Sequence, residues 1–312
     1  MPAPSPPLRF DTGFVPETGR AISVAPNILR VTAPNAGPYT FTGTNSFLLG
    51  EAQLILVDPG PSEKAHAEAL TSAIAGRMVK AILLTHTHRD HCDLARTMAE
   101  RLNAPLWFGG PHRLSRPARR GEVNAIARSS DWDLKPDRIL RDGEVLDIAG
   151  TQIELIATPG HCANHLAFGL PAQNALLSGD HVMGWNLTLV SVPDGSMRDY
   201  LASLDRVIAA PFHHYHPAHG GPITDGPAYA AALKAHRLAR NAQILAALDD
   251  GARTIGAIVR KVYPGLALTL LPAARMTVGA HVEYLEAEGR LTVSRGRLGR
   301  QVISPIPGAT GP

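Results

Sequence analysis

Thr85-His86-Thr87-His88-Arg89-Asp90-His91 follows directly on the apolar run Val79-Lys80-Ala81-Ile82-Leu83-Leu84, and that junction decides the fold. The run reads as a short buried strand. At a strand's end, side chains two apart point the same way, so His86 and His88 face one spot. Asp90 and His91 fall where the chain turns into the next helix, expected to begin near Cys92-Asp93-Leu94. One histidine beside a strand is ordinarily a surface or hydrogen-bonded residue. Three imidazoles and a carboxylate crowded between His86 and His91 are costly without a cation to share. Zinc and similar divalent ions take this mix of neutral imidazole and carboxylate.

Three later residues extend the pattern. His161 lies in Ala157-Thr158-Pro159-Gly160-His161, after the strand-like Gln152-Ile153-Glu154-Leu155-Ile156. Asp180 ends the apolar run Ala175-Leu176-Leu177-Ser178-Gly179, and His219 lies in His216-Pro217-Ala218-His219-Gly220. Each sits past an expected strand, beside the Gly or Pro that a tight loop needs. A site assembled from strand-end loops on a rigid sheet has this form.

In order and spacing, His86, His88, Asp90, His91, His161, Asp180 and His219 resemble the ligand set of the metallo-β-lactamase-fold hydrolases. Leu54-Ile55-Leu56-Val57-Asp58-Pro59-Gly60 is similar to the family's first strand and loop, where the Asp supports a metal-bound His. The resemblance spans roughly residues 25 to 225. It implies an α/β fold, the four-layer αββα sandwich. It implies two divalent ions, with zinc expected: one held by His86, His88 and His161, the second by Asp90, His91 and His219, and Asp180 bridging them. With Asp rather than Cys at 180, the set resembles the dinuclear hydrolases of the superfamily more than its Cys-ligated β-lactamases. Ala218 stands where the family often has Gly, and His216 is the alternative to His219. The implied chemistry is attack on an ester, thioester, lactone or related bond by a hydroxide bridging the ions, with Asp90 as the catalytic residue that orients it and takes its proton.

Composition bounds the remaining classes. The chain has 312 residues, 45% of them hydrophobic, enough for a substantial core in one large domain or two smaller ones. A net charge of +3 excludes a bulk polycation. Basic residues cluster at Arg113, Arg116, Arg119, Arg120 and Arg128, and again in 252–312. Such clusters are usually solvated surface and otherwise contact anions. Two cysteines, Cys92 and Cys162, do not make a disulfide framework and read as small buried thiols. Met1-Pro2-Ala3-Pro4-Ser5-Pro6-Pro7 has no secretory pattern, and no apolar run reaches membrane-spanning length. The expectation is a cytoplasmic protein without a membrane partner.

Residues 1–24 read as an irregular leader and 25–226 as the catalytic domain. Alternating strands and helices, repeated twice around one site, argue two sheets with outer helices. Residues 111–137 form an Arg-rich, loop-rich segment containing Trp132, a cover for the site. Residues 227–249 read as a connecting helix, with Pro227 at its start and Gly251 beyond its end. Residues 250–305 read as two helices and a hairpin with Gly296 near its tip, and 306–312 as a tail. Helix, helix and hairpin of this size resemble a small winged-helix-like domain. With the sandwich, they resemble the β-lactamase-like protein 2 group, whose better known members act on single-stranded RNA. The module serves either packing and homodimerisation or nucleic-acid contact, for which Tyr263 and Tyr284 are the stacking candidates.

Around the site, His165 is placed to meet a ligand or substrate, and His181 to orient a ligand. Met183, Trp185 and Leu187 would form an apolar pocket wall or core. Three functions follow: a hydrolase of small esters, thioesters or lactones; an RNA phosphodiester hydrolase; and a binding module whose metals are only structural. Seven ligands for two ions leave coordination positions open, which favours the enzymes.

Overall fold

The computed structural model describes residues 8–295 and 301–306. Its first sheet runs in chain order: β1 (Ala21–Ala25), β2 (Ile28–Thr32), β3 (Asn45–Leu49), β4 (Gln53–Val57), β5 (Met78–Leu83), β6 (Leu106–Phe108) and β7 (Arg138–Ile139). β1 to β4 pair antiparallel and β4 to β7 parallel. The helices α1 (Lys64–Ile74), α2 (Arg89–Cys92) and α3 (Ala95–Leu102) make the first two parallel crossovers, and the irregular segment 109–137 makes the third. The second sheet is ordered β12 (His214–Pro217), β11 (Ala175–Gly179), β10 (Leu166–Leu170), β9 (Thr151–Ala157), β8 (Val145–Ile148).

Alternation along single strands builds the layers. In β4, Leu54 and Leu56 join α1 and α3 in an outer core, while Ile55 and Val57 face the second sheet. In β10 and β11, Leu166, Phe168, Leu170, Ala175 and Leu177 answer from that sheet. Their neighbours Ala167 and Leu176 turn outward, against Tyr200 and Leu204 of α4 (Met197–Ala209) and Leu233 of α5 (Gly226–Asp249). Helix, sheet, sheet and helix give the αββα sandwich. Strands buried on both faces need the near-continuous apolar runs found here.

A fourth core joins the far end of α5 to α6 (Ile255–Val262), α7 (Leu271–Ala287) and the hairpin β13 (Leu291–Arg295) with β14 (Gln301–Pro305). This is the helix-rich C-terminal module. The expected hairpin tip at Gly296 lies outside the described residues, as do Met1–Pro7 and 307–312 of the leader and tail.

Two local expectations need correction. Residues 21–24 are not irregular: they belong to β1, an edge strand whose half-exposed Ala-Ile-Ser-Val-Ala lacks a clear apolar face. The segment before it is docked, with Asp11 N–H donating to Gly184 O at 2.9 Å and Phe14 beneath the Arg30 guanidinium. The helix after the first motif begins at Arg89, not near Cys92, so Asp90 and His91 lie inside its single turn.

Candidate metal centre

Five strand ends on one rim of the sandwich deliver polar side chains. Asp58 follows β4, residues Thr85–His91 follow β5, His161 follows β9, Asp180 follows β11 and His219 follows β12. Three groupings have their ligand atoms within 4.8 Å of one another: His86, His88 and His161; His86, His91 and Asp180; Asp90, His91 and His219. All seven residues proposed from the sequence are therefore together. Asp90 is partly exposed, with 28% of its side chain accessible, while the other six are buried.

Hydrogen bonding sets which imidazole nitrogen faces inward. A carbonyl only accepts, so His161 Nδ1 donates to Leu189 O (2.7 Å) and His219 Nδ1 to Gly43 O (3.3 Å). Asp58 Oδ2 accepts from His91 Nδ1 at 3.0 Å. Thr85 Oγ1 donates to the same carboxylate at 2.7 Å, so at 3.0 Å it accepts from His86 Nδ1. In its neutral form each of these four rings is left with a lone pair on Nε2, directed into the cluster.

His86 Nε2 and His161 Nε2 both close on His88 Nδ1, at 3.0 and 2.8 Å. Only one proton is available there in the neutral state, so the three nitrogens make a cradle for a cation. On the other side, His91 Nε2, His219 Nε2 and Asp180 Oδ1 are buried without a hydrogen-bond partner. Orphaned buried polar atoms are rare in folded proteins, and here they share one focus. Asp180 spans the two sides. Its Oδ2 is 3.5 Å from His161 Nε2, and its Oδ1 is 3.3 Å from His219 Nε2 and 3.6 Å from His91 Nε2. The donor set fits two divalent ions with Asp180 between them.

Electrostatics differ between the sides. Burial, reinforced by the neighbouring imidazoles, pushes His86 well below its ordinary value and His161 down to about 4. These rings are neutral at physiological pH, as ligands must be. Burial also opposes charge on His91 and His219, but the Asp90 and Asp180 carboxylates overcome it. His91 is raised and His219 reaches about 9. The acidic side thus demands positive charge, which a proton or a metal ion can supply.

Supporting residues include several that the sequence did not reveal. Asp194 Oδ1 accepts from His112 Nε2 at 2.8 Å, and its Oδ2 stands 3.7 Å from His88 Nε2. His112 Nδ1 meets Thr87 Oγ1 at 2.9 Å, and Trp132 packs edge-on against the His112 ring. Burial opposes the Asp194 charge, yet these two imidazoles hold its carboxyl down at about 2. Asn45 carries the last loop, donating to Pro217 O and Gly220 O at 3.0 and 2.9 Å.

His165 meets a candidate ligand, as expected, but through that residue's backbone: the His165 Nε2 accepts the Asp180 N–H at 3.1 Å, its Nδ1 meets Thr158 Oγ1, and its ring lies 5.1 Å from that of His86. Gly179, at φ 53°, is required there, because a Cβ would lie 2.5 Å from His165 Nε2. His181 is in none of the three groupings and packs against Tyr200. Trp185 stacks on Phe41, with centroids 4.9 Å apart, over Gly220 beside His219. Met183 is buried, and Leu187 packs in the α4 core. Ala218 has no positive φ, since Gly220 makes the turn at 85°, and the alternative His216 packs edge-on against Phe47. Cys92 and Cys162 are free, buried thiols. Of the Arg-rich segment, Arg116 is paired with Glu122 and with Glu283 of α7, and Arg119 also reaches Glu283.

An αββα sandwich with a His/Asp cluster on its strand-end rim defines a class of metal-binding proteins. The chain belongs to the metallo-beta-lactamase superfamily, which it matches over residues 39–219. It also matches the beta-lactamase associated winged helix domain over residues 254–297. It is 29% identical over 255 residues to an atrochrysone carboxyl ACP thioesterase of Aspergillus chevalieri, covering 77% of this chain and 74% of that one. It is 28% identical over 231 residues to the beta-lactamase-like protein 2 homolog of Caenorhabditis elegans, covering 72% and 71%. A metallo-beta-lactamase family protein of Thermus thermophilus superposes with a TM-score of 0.74 at 28% identity, covering 91% of this chain and all of that one. Among the described residues no helix is long and apolar enough to cross a membrane.

Proposed function

We propose that the protein is a dinuclear metal-dependent hydrolase, with zinc as the expected ion, acting on a small thioester, ester or lactone. The observation that carries this reading is the divided carboxylate of Asp180, one oxygen toward His161 and the other toward His91 and His219. His86, His88 and His161 would hold one ion, Asp90, His91 and His219 the other, and Asp180 both. Two bound divalent ions supply a nucleophile from water at neutral pH and polarise a carbonyl oxygen. Asp90 is the only ligand open to solvent, so it orients the incoming water and takes its proton. Asp58, through Thr85 and His91, and Asp194, through His88, keep the rings aimed. The Phe41–Trp185 stack beside His219 offers an apolar wall for an acyl group. A thiol nucleophile has no place in this scheme, since Cys92 packs in the outer core and Cys162 turns to Asn164.

A thioester is consistent with the name of the Aspergillus relative. Cleavage of single-stranded RNA is the second reading, favoured by the winged-helix match. Against it, Arg116 and Arg119 are engaged with glutamates and do not present free charge to phosphate. The test is turnover of the metal-reconstituted protein on a thioester and lactone panel and, in parallel, on an RNA oligonucleotide, each beside His88→Ala. Thioester turnover lost in the variant is the expected result. RNA cleavage alone would replace the substrate assignment, and no turnover with a full metal complement would leave a binding module.

A further inference from the structure

Arg237 is among the largest fully buried side chains of the described residues, 1% exposed in the middle of α5. No carboxylate lies within ion-pair distance of it among the described residues. A buried guanidinium without a counter-ion is costly and needs a compensating interaction. It has two. Its Nη2 donates to the Thr188 carbonyl, and its cation lies 5.2 Å from the centroid of the Tyr200 ring.

Both contacts lead to the metal-type cluster. The Thr188 hydroxyl donates to Asp180 O at 2.8 Å and also approaches His181 O at 3.2 Å, while Tyr200 donates to His181 O at 3.1 Å. On its other side the Asp180 backbone is held by His165 through the N–H. The carbonyl of Leu189, the next residue along, accepts from His161 Nδ1 at 2.7 Å. The peptide between Thr188 and Leu189 is therefore flanked by the supports of Asp180 and His161. Those are the two residues whose Oδ2 and Nε2 stand 3.5 Å apart. Four residues along α5 on the same face, Asn241 Oδ1 accepts from His281 of α7 at 2.6 Å. One helix thus anchors the C-terminal module and touches the loop behind the centre.

We propose that Arg237 is a positioning residue: by pinning the Thr188–Leu189 peptide it sets the separation of His161 and Asp180, and so the metal affinity of the centre. The inference rests on the proposed metal site. A static polar contact at α5 would have no effect on that affinity.

The test compares Arg237→Met with Asn241→Ala in the full chain, using zinc stoichiometry and affinity by titration, the visible spectrum of the cobalt-substituted protein, and thermal unfolding. Supporting contacts of this kind change metal affinity about 10- to 100-fold. The expected result is a loss of that size in Arg237→Met, with a changed cobalt spectrum. Asn241→Ala lowers thermal stability but keeps wild-type affinity and spectrum. Wild-type affinity and spectrum in Arg237→Met, or affinity falling in step with unfolding temperature in both variants, would overturn the proposal. Should Arg237→Met not fold, Arg237→Gln is read the same way. Wild-type protein that binds neither ion would sink the metal reading itself, which is a separate outcome.

Discussion

Asp58 sits at φ 47°, a left-handed backbone that Asp and Asn tolerate and most residues do not. That turn aims its carboxylate at three donors: Thr85 N–H, Thr85 Oγ1–H and His91 Nδ1–H. Asp58→Ala leaves all three unpaired in a buried site, at a cost of about 3 kcal/mol or more. Asp58→Asn keeps the backbone and one acceptor but not the charge. We expect the Asn variant to unfold near the wild-type temperature while binding zinc about 10- to 100-fold more weakly. Equal zinc affinity in titrations of the two proteins would show that Asp58 only stabilises the loop. Asp58 was legible because it ends an apolar strand ahead of the histidine motif. Asp194 and His112 were not, although they support His88 from the opposite side. They lie 82 residues apart with no spacing pattern between them, so only the folded chain makes them neighbours.

Among the elements, the strands buried on both faces were the most readable. β4, β10 and β11 are nearly continuous apolar runs closed by Gly, Asp or Pro, and little else accommodates such runs. α5 announced itself through Pro227, and Asp225 caps it by accepting from Ala228 N–H at 3.2 Å. What the sequence could not show was how the Arg-rich segment is used. Its charge read as solvated surface or, failing that, an anion contact, but Arg116 forks between Glu122 and Glu283, so the segment is tied to α7. These groups are about a fifth exposed, with side-chain accessibilities of 21% for Arg116 and 23% for Glu283. Solvent screening discounts the pair to about 1 kcal/mol. We expect Glu283→Gln to lower the melting temperature by about 2 °C. Trypsin should also cut between Arg116 and Arg128 several-fold faster. Unchanged cleavage would mean that the segment is held by its apolar contacts instead.

At the scale of the whole molecule, opposing histidine shifts give the metal-free protein a stability maximum. Burial drives both His66 and His216 down to about 4. Between pH 4 and 6.5 the unfolded chain binds more protons than the folded one at these positions, so stability rises with pH there. It is fully present above 6.5 and is lost as pH falls toward 4, with a slope of up to about 3 kcal/mol per pH unit for the two. His219 works in reverse, because its carboxylate neighbours raise it to about 9 despite burial. Its contribution is complete below 6.5 and disappears as pH rises through 9. Urea unfolding of chelator-treated protein should therefore weaken on both sides of pH 6.5, and His216→Phe should flatten only the acid limb. Zinc changes the alkaline limb, since it takes the site of the His219 proton and must displace it. Apparent zinc affinity should climb at least about tenfold per pH unit between 6.5 and 9, because His91 is raised as well. Affinity independent of pH across that interval would mean that no proton leaves His219 on binding, and would remove it from the ligand set.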